Sequence, residues 1–224
     1  MEKLLKKYSL FENEHFVDLK ALPRQGYCNT NYKLTTSQKS YLIRVFNSHR
    51  DREFEYKVNL EAFKLGIAAK PYLLDVKNSL MVCEFFEGKH KKRLSRRDIV
   101  QIAKLLQKLH SIKVPTAKRL VLCHQDLNPQ NLIFTKKGIK LIDWEYAGLN
   151  ECYFDIASLI VEFNFTPKEE KLFLKTYFKR GYSKKKLYSF KLNYATLCIQ
   201  WFSKRNKQKE KILYKKRLLK VKLG

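Results

Sequence analysis

One helical pattern set among short β-rich runs, followed by a half that is almost wholly helical, constrains this chain more than any other feature. Within residues 15–46, HFVDLKAL, NTNYKLTT and KSYLIRVF are β-rich and parted by turn formers, which predicts an antiparallel meander. Residues 51–65 then carry Phe54, Val58, Ala62 and Leu65 at helical spacing, with Gly66 placed to close the helix. PYLLDV and SLMVCEFF add two strands. Beyond the basic connector KHKKRLSRR (89–97) the composition changes. Ser95 and Asp98 form a capping box for a helix with Ile99, Ile102, Ala103, Leu106, Leu109 and His110 on one face. VLCHQDLNPQNLIF leads a polar loop into a strand, and TKKG with IKLID completes a hairpin. From Tyr153 onward the pattern is helical. This order predicts an α+β chain of two lobes: a small antiparallel β-rich lobe with one helix over 1–88, and a mainly helical lobe over 89–224.

With 224 residues and 45% hydrophobic content the chain can bury a substantial core, and 13% aromatic content argues against disorder. Five cysteines stand far apart, are odd in number and form no CxxC pair, which argues against a disulfide framework or a zinc knuckle. No run approaches the ~20 apolar residues of a membrane span, and MEKLLKKYSLFENEH lacks a signal-peptide core. A soluble, cytoplasmic protein is the expectation. Lys and Arg number 47 against 21 acids, a net charge of +26. Scattered surface lysine accounts for most of that excess. The tail KRNKQKEKILYKKRLLKVK (204–222) can also touch an anionic membrane surface or nucleic acid. No nucleic-acid fold signature accompanies it. Ile212, Leu213, Leu218, Leu219 and Val221 predict a tail helix docked on the body.

Two segments carry chemistry, HQDLNPQN (124–131) and LIDWEYAG (141–148). Asp126 and Asn131 lie five apart across a Pro-containing loop, and Asp143 ends an apolar strand 12 residues later. Phosphoryl transfer from a magnesium nucleotide needs such a set: a carboxylate for the attacking hydroxyl, and an amide oxygen and a second carboxylate for Mg²⁺. Each motif alone is weak, since Asp, Asn and Pro also close turns; the pair in this order is specific. Residues 143–162 hold Asp143, Glu145, Glu151, Asp155 and Glu162 and no Lys or Arg, which predicts a local acidic pocket suited to a cation. Trp144, Tyr153, Phe163, Tyr194 and Trp201 are available as aromatic faces for a quaternary ammonium, or as core.

CHQDLNPQNLIF…LIDWEYAG resembles the aminoglycoside phosphotransferase and choline kinase superfamily, and IDWEYAGLNECYFDIASLIVE is similar to choline and ethanolamine kinases in particular. The resemblance runs from about residue 20 to residue 202. It implies a bilobal protein-kinase-like fold with a nucleotide-binding first lobe, and ATP and Mg²⁺ as cofactors. It makes Asp126 the catalytic base, also in touch with substrate, Asn131 and Asp143 the metal ligands, and His124 and Asp155 structural. Glu162, Tyr194 and Trp201 would meet the acceptor. QGYCNTNY (25–32) is similar to the phosphate-covering loop, which puts Gly26 and Asn29 at the nucleotide, with Gln25 and Cys28 departing from the family pattern. Arg44 would face the nucleotide with an acid of the next helix, Glu55 or else Glu53. In MVCEFFEG, Glu84 and Phe86 resemble the adenine-binding hinge. The implied activity is phosphorylation of choline or ethanolamine, with thiamine or an aminoglycoside as the alternative acceptor. A homodimer is compatible with this reading.

Overall fold

The early runs rich in β-branched and aromatic residues form five strands of one antiparallel sheet in the computed structural model, and the last of them, Leu80–Glu84, is buried on both faces. The structure describes residues 1–23, 25, 26, 28–112 and 120–223. The strands are β1 (Phe16–Ala21), β2 (Asn29–Thr36), β3 (Ser40–Phe46), β4 (Pro71–Asp75) and β5 (Leu80–Glu84), in the order β1-β2-β3-β5-β4. Leu34, Tyr41, Ile43, Leu80 and Val82 point to one core, which Leu5 and Phe11 complete from α1 (Glu2–Leu5) and a 3-10 turn at Ser9–Phe11. The sequence did not announce those two N-terminal elements. Their apolar residues are too few for a periodic signal.

The helix α2 (Arg52–Lys64) starts at Asp51, whose side chain accepts the Phe54 N–H. It ends where Gly66 takes φ +72°, with Ile67 N–H reaching Ala62 O. Its inner face corrects the expected one. Phe54 is exposed, while Arg52, Glu55 and Asn59 are buried beside Val58 and Ala62. The reason is electrostatic: the buried Arg44 of β3 draws Glu55 inward.

The described chain divides into two compact units, Met1–Gly88 with Lys140–Glu145, and Lys89–Ile139 with Tyr146–Gly224. In the second unit β6 (Val121–Cys123) pairs antiparallel with β9 (Gly148–Asn150). The strands β7 (Leu132–Thr135) and β8 (Gly138–Leu141) make the expected hairpin, and the chain enters the first unit within β8. Helices α3 (Arg96–Leu109), α4 (Tyr153–Glu162), α5 (Pro167–Tyr177), α6 (Lys184–Ser203) and α7 (Gln208–Leu223) supply the rest. α4 is buried along nearly its whole length, in keeping with its apolar IASLIV run. α7 is docked as expected, but through Tyr214, Leu218 and Val221. Ile212, Leu213 and Leu219, also expected inside, are exposed because they lie on other faces of the helix.

The α3 cap tests this reading of the sequence. Ser95 Oγ accepts the Asp98 N–H and Asp98 accepts the Ser95 N–H, with Lys91 Nζ at 2.8 Å from the same carboxylate. Burial alone would raise the Asp98 pKa, but the hydrogen bonds from Lys91 and Ser95 outweigh it and hold the carboxyl below its usual value. A depressed acid stabilises the fold above its unfolded pKa and loses that contribution as pH falls through the folded one. Ser95→Ala should therefore cost about 1 kcal/mol in urea unfolding at neutral pH, and less once Asp98 is protonated.

Candidate active site

In the first unit the site is built around a guanidinium taken out of water. Arg44, 5% exposed on β3, places Nη1 2.6 Å from Glu55 Oε1 and Nη2 2.6 Å from Asp143 Oδ1. Glu55, rather than Glu53, is the α2 partner, and its second oxygen accepts from Arg52 Nη1 at 2.6 Å. Burial would push the Arg44 pKa down, but the carboxylates of Asp143 and Glu55 hold it up, so the group stays charged. Asp143 adopts φ +66°, a conformation rare for a residue with a side chain and one that gathers at functional sites. Its Oδ2 makes no hydrogen bond among the described residues and is a hard oxygen of the kind Mg²⁺ takes. Next to it Glu145 accepts from Asn29 Nδ2 at 3.2 Å and lies 3.7 Å from both Arg50 and Arg52. Burial, with the Asp143 charge beside it, raises the Glu145 pKa.

The loop before β2 is closed by a side chain. Gln25 Nε2 donates to Leu22 O and Asn31 O, and Gln25 Oε1 accepts the Asn31 N–H at 2.6 Å. Gln25 thus ties together the loop that carries Gly26. Asn29 is buried with its Oδ1 unpartnered. At the other end of the sheet, Glu84 N–H is committed to Lys70 O, and Phe86 packs with Phe46, Ala69, Met81 and Cys83.

In the second unit a buried carboxylate holds the HQDLNPQN turn. Asp155, 0% exposed, accepts the His124 N–H and the Gln125 N–H, each at 2.8 Å, and lies 3.0 Å from His110 Nε2. Gln125 takes φ +63° and its Oε1 accepts from Asn150 at 3.0 Å. A Cβ at Gly148 would come within 2.9 Å of the Gln125 amide, so that position admits only glycine without a shift. The turn presents Asp126, whose Oδ1 accepts from Asn128 Nδ2 at 3.0 Å and whose Oδ2 accepts from Asn131 Nδ2 at 2.7 Å. His124 is fully buried and its Nδ1 accepts the Asp126 N–H. With its amide nitrogen turned to Asp126, Asn131 keeps its oxygen for another partner. The chemistry of Asn131 and Asp143, oxygen donors only, fits a hard divalent cation.

His110, Cys123 and Asp155 also bring three ligand atoms within 4.8 Å of one another. Cys123 and Asp155 are buried, the His110 side chain is 4% exposed, and Asp155 is already engaged by two backbone donors, which makes this cluster a brace for the turn.

The acidic stretch is not one pocket, contrary to the sequence expectation. Its members divide between the two units, and each has its own partner: Asp143 with Arg44, Glu145 with Asn29, Glu151 with Lys186, Asp155 with the turn, and Glu162 with α7. Glu162 is buried rather than open. Its carboxylate accepts from Tyr194 OH at 2.8 Å, from Tyr214 OH, and from Arg217 Nη1 at 3.1 Å. Tyr194 is held protonated by burial first and by the Glu162 charge second, with the Asp126 charge adding to both. Trp201 carries the Arg205 guanidinium 3.7 Å above its ring. The places expected to meet a cation thus hold the chain's own guanidinium groups. Sequence reasoning noted Gln25 only as a departure from the family pattern, and it missed Arg52, Arg205 and Arg217. The last two sit in a tail whose composition gives no reason to single out one basic residue from the next.

Known proteins resemble this chain in sequence and fold. The choline/ethanolamine kinase family model matches residues 116–220 and the RIO domain model matches residues 7–147, so the two overlap over HQDLNPQN and over LIDWEYAG up to Ala147. Protein LicA of Haemophilus influenzae is 23% identical over 73% of this chain, and the match spans 65% of that protein's length. A thiamine kinase of Escherichia coli (strain SMS-3-5 / SECEC) is 40% identical over a shorter stretch, 25% of this chain and 21% of the relative. Among solved structures, choline kinase LicA from Streptococcus pneumoniae superposes with a TM-score of 0.79 at 24% identity, covering 99% of this chain and 98% of that one. The spectinomycin phosphotransferase APH(9)-Ia, solved with ADP and spectinomycin, gives 0.73 at 14% identity, covering 97% and 93%. The chain shares the fold of these proteins. Over residues 7–147, more than half of its length, the chain belongs to the RIO domain family, and over residues 116–220 it is similar to the choline/ethanolamine kinase family.

Proposed function

We propose that the protein transfers the terminal phosphoryl group of ATP to the hydroxyl of a small cationic alcohol, choline or ethanolamine. The observation that carries the reading is the Asp126 turn, a carboxylate oriented by Asn128 and Asn131 on a backbone pinned by a buried acid. In this reading Asp126 orients the acceptor hydroxyl and takes its proton as the oxygen attacks the γ-phosphorus and ADP leaves. Asn131 and Asp143 would hold Mg²⁺, which would supply charge neutralisation on the phosphates. Arg44, kept in place by Glu55, orients Asp143 through its Oδ1 and leaves the other oxygen for the metal. Gly26 and Asn29, on the loop closed by Gln25, face the nucleotide, and the hinge at Glu84 and Phe86 receives the adenine.

The acceptor's positive group is read by Glu162, Tyr194 and Trp201. Support for a cation comes from what these side chains already hold, guanidinium groups against a carboxylate and an indole face. An alcohol entering there competes with Arg217 and Arg205.

Purified protein assayed with ATP and Mg²⁺ against choline, ethanolamine, thiamine and an aminoglycoside tests the assignment, and turnover with none of them would overturn it. Asp126→Ala should lower kcat by about 10²–10⁴-fold while nucleotide binding, read by calorimetry, persists. Asp143→Ala should weaken magnesium-nucleotide binding itself. Glu162→Gln should raise the KM for the alcohol more than that for ATP.

A further inference from the structure

α7 has two apolar faces. One, made of Tyr214, Leu218 and Val221, packs on α4 and α6. The other is unpartnered: Ile212, Leu219 and Leu223 are 51%, 56% and 80% exposed. They stand 7 and 4 residues apart, which at 3.6 residues per turn puts them in one line along the helix. Lys209, Lys215, Lys216, Lys220 and Lys222 flank that line. The helix's one acid, Glu210, lies on the side of the docked residues. An apolar line bordered by lysines is the pattern of a helix lying in a membrane interface.

A second feature stands beside it. A cavity of about 720 Å³ opens between α4, α5, α6 and α7, with Ile160, Val161, Phe165, Leu174 and Phe178 among its apolar lining. Its rim carries six cations and one acid, Glu170. Lys191 is paired with Glu170, Arg217 with Glu162, and Lys220 with Asn164. Lys171, Lys175 and Lys184 have no partner among the described residues. Lys220 belongs to both features, since it lines the cavity and follows Leu219.

We infer that the outer face of α7, together with this cavity, is a docking surface for an anionic phospholipid bilayer. Ile212, Leu219 and Leu223 enter the acyl boundary, the flanking lysines meet headgroup phosphates, and a lipid phosphate seats at Lys171, Lys175 and Lys184 over the apolar floor. Charge complementarity selects this occupant. A neutral protein surface would leave the lysines unpaired, and nucleic acid would leave the apolar line in water. No helix among the described residues is long and apolar enough to cross a membrane, so the contact is peripheral. Nothing in it depends on which alcohol is phosphorylated.

The test is co-sedimentation of the full chain with vesicles of phosphatidylcholine alone and with about 30 mol% phosphatidylglycerol, at low salt and at about 0.5 M NaCl. The expected result is binding to the anionic vesicles only, lost at high salt. I212S/L219S should weaken it, and K171E/K175E/K184E should weaken it by about 100-fold or more, at roughly five-fold per lysine neutralised. All these positions are exposed, and unchanged circular dichroism identifies loss of binding rather than of fold. Equal binding to both vesicles, or wild-type binding by both variants, would overturn the proposal. So would displacement from vesicles by millimolar inorganic phosphate, which would mark a soluble-phosphate site, or variant-sensitive binding to an RNA oligomer without vesicle binding.

Discussion

A guanidinium removed from water is tolerable only if its charge and its donors are matched, and the first unit is arranged to match one. Arg44 reaches Glu55 on α2 and Asp143 within the returning segment 140–145, so a strand, a helix and a distant stretch of chain are fixed to one another by a single side chain. Removing one partner from such a buried set leaves an uncompensated charge, at a cost of about 3–5 kcal/mol. That asymmetry explains the polar inner face of α2. Glu55, Arg52 and Asn59 take places that an ordinary amphipathic helix would give to Leu or Phe, and Phe54 is turned outward as a result.

The second unit solves a related problem with an anion. Asp155 has no access to solvent, yet its oxygens meet two backbone N–H groups and an imidazole. The donors belong to His124 and Gln125, so the acid is spent on holding the polypeptide immediately before Asp126. A turn with a residue at φ +63° would otherwise relax toward a commoner conformation. Side-chain amides complete the frame, from Asn131 and Asn128 on the carboxylate and from Asn150 on Gln125. The chemistry expected of Asp126 is a matter of placement, and placement is what these bonds provide.

Much of this was legible in the chain itself. The meander, α2, the α3 capping box and the hairpin after Asn131 follow from local rules that read short stretches of residues. The two chemical motifs were visible because each keeps its polar residues at fixed spacing within one loop. What escaped was non-local. Nothing in the neighbourhood of Glu162 reveals that Arg217, 55 residues on, will neutralise it. A composition count made residues 143–162 look like one acidic pocket, whereas folding sends their five acids to separate partners in two units. The N-terminal Leu5 and Phe11 were missed for the opposite reason. They contribute heavily to a core while belonging to elements too short to show a period.

The sequence contains two tryptophans, and the fold has distributed them evenly. Trp144 is buried in the segment that joins the first unit, whereas Trp201 is half-exposed on α6 beneath the Arg205 guanidinium. Each unit thereby owns one indole in a distinct environment, one buried and one beside a cation. Replacing either indole by phenylalanine leaves a chain whose tryptophan emission reports on a single half, so the protein's own optics can follow the unfolding of each half separately.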